Sequence, residues 1–274
     1  MKEFHIINVG VSIITNYQKV QEELKDKKLP DNEFWIDFLK NPKKLDEIYN
    51  FVCKDPKKYS AELNSFLRKI ENSKNQIEVY FTGTKTPVNK ICVRTLKRFM
   101  RENDFTVYVS KEFPGYFMET YTGEDRIKSF THGISDMLDH LIRLANRKKE
   151  EGYKVFFNPT GGFKAHVIAC ALAGFMTYSE VYYLNEEFED VITFPPLFYI
   201  PKGREIDLLK ILADKKPRSG KECEEIFKEY EKEIERLILY NLIEDEKDDT
   251  GRIFRIKILN KGELIVKEFQ ERKL

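Results

Sequence analysis

The sequence predicts an α/β fold with an open, mainly parallel sheet, followed by a small domain of helices and a two-strand signal. Three observations predict it. Short apolar runs alternate with longer segments of helical periodicity, the pattern of strands covered on both faces. Loops of small residues follow three of those runs, as at the carboxyl edge of an open sheet. The composition breaks at Pro195-Pro196 and again at Pro201-Lys202-Gly203. With 274 residues, 41% of them apolar, the chain can bury one large α/β core and one small appended core.

The opening run Glu3 to Val9 carries Phe4, Ile6, Ile7 and Val9 and reads as a central strand, ended by Gly10. Residues 18–75 are charged and helical, with apolar positions such as Trp35, Phe38, Ile48, Leu63 and Phe66. Pro30, Pro42 and Pro56 mark helix starts or stops within it. This segment is too long for an ordinary crossover and reads as an elaboration of the core. Ile77 to Phe81 is the second strand, ended by Thr82-Gly83-Thr84, and a helix covers 88–101. Phe105 to Val109 is the third strand. Ile134, Met137, Leu138, Leu141 and Ala145 repeat at helical spacing in a long helix from about Asp125 to Glu151. Tyr153 to Phe157 is the fourth strand, and an apolar helix spans 163–178. Val181 to Leu184 and Val191 to Phe194 are short strands. This order describes a Rossmann-like sheet over residues 1–200.

Beyond residue 200, helical patterns at 204–214 and 221–243 precede strand signals at Arg252 to Leu259 and Glu263 to Phe269, with Asp248 to Gly251 as a turn. That arrangement suggests a small winged-helix domain over 201–274. Its basic and acidic residues balance, 18 of each. The helix before the wing carries Glu222, Glu224, Glu225, Glu229, Glu231, Glu233 and Glu235, which would repel a DNA backbone. DNA binding through this domain is not expected. Its face of Ile226, Tyr230, Ile234, Leu237, Ile238 and Leu242 suits a domain core or a dimer contact.

The whole-chain net charge of +1 provides no general attraction to nucleic acid or to anionic membranes. Cys53, Cys92, Cys170 and Cys223 form no CxxC pair, and no His-carboxylate grouping suggests a metal or other cofactor. The first residues lack a leader pattern, and no charge-free apolar stretch reaches membrane-spanning length. The expectation is a soluble, cytoplasmic protein.

Chemistry is expected where the three loops converge. Asn158-Pro159-Thr160-Gly161-Gly162-Phe163-Lys164 lies between a strand and a helix. Gly161 and Gly162 leave backbone amides open to a ligand, Thr160 offers a hydroxyl, and the helix amino end favours an anion. Lys164 in the first turn opposes the helix dipole, so it makes better sense facing a phosphate. The glycine spacing is neither that of a P-loop nor that of a dinucleotide fingerprint. Ser12 is an anion-binding hydroxyl or a helix cap. Asn16, Thr82 and Thr84 are ligand-bonding or local turn residues. His166 reads as a helix-face residue. Arg126 and His132 have a spacing used by some metal-independent ribonucleases, though one helix does not bring them cleanly to one face. No residue stands out as a general base.

The segments Asn8-Val9-Gly10-Val11-Ser12, Thr82-Gly83-Thr84 and Asn158 to Lys164 resemble those of the CARF domain of CRISPR-associated proteins. A CARF domain followed by a winged helix is similar to the archaeal CRISPR ring nucleases and to CARF regulators. The resemblance implies a homodimer that binds a cyclic oligoadenylate, cyclic tetra-adenylate above all, through Gly10, Val11, Ser12, Asn16, Thr82, Gly83, Thr84, Asn158, Thr160, Gly161, Gly162, Phe163 and Lys164. It further implies metal-independent cleavage in which the ribose 2′-hydroxyl attacks the adjacent phosphate and leaves a 2′,3′-cyclic phosphate. Ser12 and Lys164 match the family's catalytic serine and lysine. The alternative that the resemblance allows is a non-catalytic sensor signalling through the winged helix.

Overall fold

The computed structural model describes residues 2–29, 32–110, 123–185, 190–194, 199, 201–213, 218–240, 242–250 and 253–271. The chain forms two compact units, Met1–Pro195 and Pro196–Leu274.

The first unit is a six-stranded sheet flanked by helices. Its strands are β1 (Lys2–Asn8), β2 (Gln76–Thr82), β3 (Thr106–Val109), β4 (Tyr153–Asn158), β5 (Glu180–Asn185) and β6 (Asp190–Phe194), in the order β3-β2-β1-β4-β5-β6. All pairs are parallel except β5 with β6. The sheet is therefore mostly parallel and Rossmann-like. β1 sits inside it because its residues from Glu3 onward are all buried, as a strand covered on both faces requires.

Alternate residues of β1 serve two cores. Ile7 and Val9 join a cluster with Ile13, Trp35, Ile48, Leu63, Phe66, Phe81 and Ile91, whereas Phe4 and Ile6 join Met137, Leu141, Phe157, Ala169 and Ala173. The first cluster is built largely by α1 (Ser12–Val20), α2 (Asn32–Lys40), α3 (Pro42–Lys54), α4 (Pro56–Tyr59), α5 (Ala61–Ile70) and α6 (Pro87–Glu102). The helical elaboration is thus part of the main core. Burying side chains the size of its Ile48, Leu63 and Phe66 stabilises the fold by about 1.5–3 kcal/mol each. Pro42, Pro56 and Pro87 open their helices, where a missing amide proton costs nothing. The second cluster is built by α7 (Gly123–Glu150) and α8 (Lys164–Met176). α8 is not buried on every side, because Ile168 and Met176 stay exposed.

In the second unit, α9 (Arg204–Leu212), β7 (Arg218–Ser219), α10 (Gly220–Leu239), β8 (Ile243–Lys247), β9 (Ile253–Ile258) and α11 (Asn260–Glu271) follow in order. The sheet order is β7-β9-β8. α10 is kinked at Tyr230, and its apolar face packs with Leu208, Leu212, Ile243 and Ile256 as the core of this unit. The hairpin turns where expected, but its first strand is Ile243–Lys247. The expected strand at Glu263 to Phe269 is helical instead. Its β-branched and leucine run looked strand-like, yet Leu264 is exposed while Val266 is buried in the core, and Glu263 N–H closes the first turn onto Leu259.

Candidate functional site

The three small-residue loops meet because β1 lies between β2 and β4. Val9 N–H donates to Thr82 O at 2.8 Å, continuing the β1–β2 ladder past the strand ends. Polar side chains then knit the loops. Asn8 Nδ2 donates to Gly161 O at 2.5 Å, and Asn89 Nδ2 donates to Val9 O and Gly10 O at 2.7 and 3.1 Å. Asn89 Oδ1 accepts from Thr84 N–H at 2.9 Å. The glycines permit this closeness. A Cβ on Gly10 would lie 2.4 Å from Gly162 N, and one on Gly162, whose φ is +112°, would lie 2.3 Å from Asn8 Nδ2.

A carboxylate from the helical elaboration fills the centre. Glu62, 1% exposed, accepts from Gly10 N–H at 2.7 Å, from Ser12 Oγ at 2.8 Å and from Ser60 Oγ at 2.9 Å. A Cβ on Gly161 would stand 2.0 Å from Glu62 Oε1. Ser60 caps α5 by accepting from Leu63 N–H, which orients the helix start so that Glu62 reaches the loops. Ser12 is not the helix cap. Val11, half-buried, holds that position for α1, and the Ser12 hydroxyl accepts from Ala61 N–H at 3.2 Å while donating to Glu62.

The remaining predicted residues divide by what their side chains touch. Thr160 donates to Asn158 Oδ1 at 2.6 Å and accepts from Leu184 N–H at 3.2 Å, so its hydroxyl ties the turn to β5. Asn158 Nδ2 donates to Ser65 Oγ, and Asn16 Nδ2 donates to Tyr59 O, both toward the helical elaboration. Thr84 pairs with Thr86. The buried Thr82 hydroxyl has no hydrogen-bond partner among the described residues. Phe163 occupies the cap position of α8 and supplies no side-chain cap bond. Lys164 is exposed there and makes no hydrogen bond or ion pair among the described residues. Beside Gly83 and Thr84 lies a cavity of about 240 Å³ whose wall includes Lys90, Arg94 and Lys97 of α6 and the buried hydroxyl of Ser110.

His166 is buried against the rings of Phe130 and Phe163. His132 is exposed on α7, and the Arg126 side chain lies outside the described residues. Among the described residues, no group of three or more His, Cys, Asp or Glu could hold a metal, and no helix is long and apolar enough to cross a membrane. Sequence reading missed Glu62, Ser60 and Asn89. Only Asn8 and Asn158, polar residues ending apolar strands, signalled that the loops are tied by side chains.

Two solved structures resemble the chain at low identity. Protein VC1899 from Vibrio cholerae shares 9% identity, with a TM-score of 0.40 over 98% of this chain. Can2 from Sulfobacillus thermosulfidooxidans, in complex with cyclic tetra-adenylate, shares 10% identity, with a TM-score of 0.33 over 99%. The chain spans 65% of the length of each. A family model described as CRISPR-associated protein (Cas_APE2256) matches residues 57–197, just over half of the chain and the part that carries β2 to β6, Glu62 and the turn leading to Lys164. The chain belongs to this family of CRISPR-associated proteins.

Proposed function

We propose that the chain binds a cyclic oligoadenylate, cyclic tetra-adenylate in particular, and linearises it without a metal ion. The observation that carries this reading is the meeting of the Ser12 loop and the Gly161–Lys164 turn at the carboxyl edge of the sheet, with Lys164 exposed in the first turn of α8 and unpaired among the described residues. Membership of a CRISPR-associated family and the CARF-like motifs support the ligand class. The ribose 2′-hydroxyl attacks the adjacent phosphorus, and the bond to the 5′-oxygen breaks. A 2′,3′-cyclic phosphate and a 5′-hydroxyl result. Lys164 and the α8 amides offset charge growing on the phosphate oxygens, and the loops hold the ribose and phosphate in line. Two copies of the chain share the ring. The apolar Ile168 of α8 and Ile127 of α7, 59% and 69% exposed, suit a contact between them.

Purified protein incubated with cyclic tri-, tetra- and hexa-adenylate in EDTA should yield linear products ending in 2′,3′-cyclic phosphate, from the tetramer fastest. Lys164→Ala should remove most turnover. Intact substrate after long incubation with excess protein overturns the catalytic reading. Binding without cleavage would favour the sensor. That second reading draws on the second unit, where α9, the kinked α10 and the β8–β9 hairpin suit a winged helix acting as a dimerisation or regulatory module.

A further inference from the structure

The proposed cleavage needs an acceptor for the proton of the attacking hydroxyl, and a carboxylate lies directly behind Ser12. Glu62 is buried at the junction of the loops, its carboxylate held by three neutral donors: Gly10 N–H, Ser12 Oγ and Ser60 Oγ. Among the described residues no Lys, Arg or His lies within ion-pair distance of it. A proton arriving on this carboxylate therefore breaks no salt bridge.

The bonds of Ser12 fix what its oxygen can still do. A hydroxyl has one proton and two lone pairs. The proton goes to Glu62 at 2.8 Å, and one lone pair takes Ala61 N–H at 3.2 Å. Among the described residues nothing takes the other lone pair, and the side chain is half-buried. Ser12 as held can accept one more hydrogen bond and donate none. An ionised phosphate oxygen carries no proton and cannot satisfy it, whereas a ribose hydroxyl can.

Resting on the proposed cleavage, we infer that Glu62 is the terminal acceptor of the attacking 2′-hydroxyl proton, with Ser12 as the relay. The 2′-hydroxyl gives its proton to Ser12 Oγ as the Ser12 proton passes to Glu62. The 2′-oxygen bonds to phosphorus, the bond to the 5′-oxygen breaks, and the 5′-oxygen takes a proton from solvent. Glu62 then releases its proton through Ser12 to solvent, which balances the proton taken by the 5′-oxygen. Glu62 touches Ser12 and not the nucleotide, so it is a positioning residue with a chemical task.

Glu62→Gln tests this in the full chain. Glutamine has the same shape; its oxygen accepts from Gly10 N–H while its NH₂ donates to Ser12 and Ser60. That reverses the Ser12 hydroxyl and turns its proton toward the substrate. Single-turnover cleavage of cyclic tetra-adenylate should fall about a hundredfold or more, the scale of general-base contributions. Ligand affinity should stay within about threefold, and adding Glu62→Gln to Ser12→Ala should cause no further loss, as expected for residues acting as one unit. If the glutamine variant does not fold, Glu62→Ala with added formate replaces it, and formate should restore rate where chloride does not. Cleavage by a folded E62Q at the wild-type rate, a parallel loss of affinity and rate, or a folded E62A that formate leaves inactive would overturn the assignment. If the wild type itself binds without cleaving, it is the catalytic reading that fails.

Discussion

Gly161 gives a direct measure of how tightly the loops are built around the carboxylate. Its φ is outside the left-handed region, so an alanine could adopt the backbone; only space forbids it. The added methyl would stand 2.0 Å from Glu62 Oε1 and 2.8 Å from Gly10 N. Gly10 cannot retreat, because the adjoining Val9 is bonded to Thr82 O. Glu62 must move instead and release the Gly10 amide. Overpacking costs about 1–3 kcal/mol, and an unpaired buried donor costs about 1–3 kcal/mol more. The lower entropy of the unfolded alanine chain offsets about 0.4–1 kcal/mol. A net loss of about 3 kcal/mol corresponds to a fall of roughly 6–12 °C in the melting temperature of a unit this size. The control is Gly152→Ala, where φ is +83° and nothing lies within 4 Å of the new Cβ. There only backbone strain acts, at about 1–2 kcal/mol. A calorimetric scan that finds Gly161→Ala within about 2 °C of wild type, or Gly152→Ala falling as far, would refute the steric argument.

Two further outcomes follow from the polar network. Thr160→Val removes the hydroxyl that links Asn158 Oδ1 to Leu184 N–H, and should cost about 1–2 kcal/mol in urea unfolding; an unchanged midpoint would mean that the β4–β5 connection does not depend on it. At the other end of β1, His5 is fully buried, its Nε2 facing Glu3 and its Nδ1 facing the Tyr182 hydroxyl. The Glu3 carboxyl is held down at about 2, chiefly by the hydrogen bond from His5, and burial pushes the His5 imidazole below its ordinary 6.5. Both groups bind fewer protons folded than unfolded, so stability falls as the pH is lowered. The histidine contribution fades below 6.5, and that of Glu3 fades from its ordinary 4.5 toward 2. Urea midpoints that stay flat between pH 7 and 3 would contradict this.

The sheet could be read from sequence because its evidence is local. Phe4, Ile6, Ile7 and Val9 crowd one run, glycines or small residues end the first, second and fourth strands, and Pro42 and Pro56 announce their helices. The two faces of β1 need no knowledge of distant residues. Glu62 was opaque for the opposite reason. It is one acid in a segment rich in charge, 50 residues from Ser12, and nothing in its neighbours marks it as buried. Its role exists only once α5 lies over the carboxyl edge. The strand read at Glu263 to Phe269 fails on similar grounds, since three consecutive apolar residues fit either period and α11 exposes Leu264.

The carboxylate also changes how the glycine-rich turn should be understood. Sequence alone suggests that Gly161 and Gly162 leave amides open for a phosphate. In the fold, Gly161 leaves room for Glu62, Gly162 leaves room for Asn8, and the Gly10 amide is already taken. A phosphate placed about 4 Å from Glu62 would meet a like charge, a repulsion of about 4 kcal/mol at the effective dielectric of a protein site. In the proposed complex that repulsion would favour a phosphate away from the Ser12 end, toward Lys164 and the first turn of α8, where the dipole and the ammonium both suit it. The ribose would then face Ser12, whose remaining lone pair accepts only a donor. If Glu62 takes the proton through Ser12 as inferred, the same carboxylate would also set which end of the nucleotide reaches Ser12, and the helical elaboration that carries Glu62 would belong to the site.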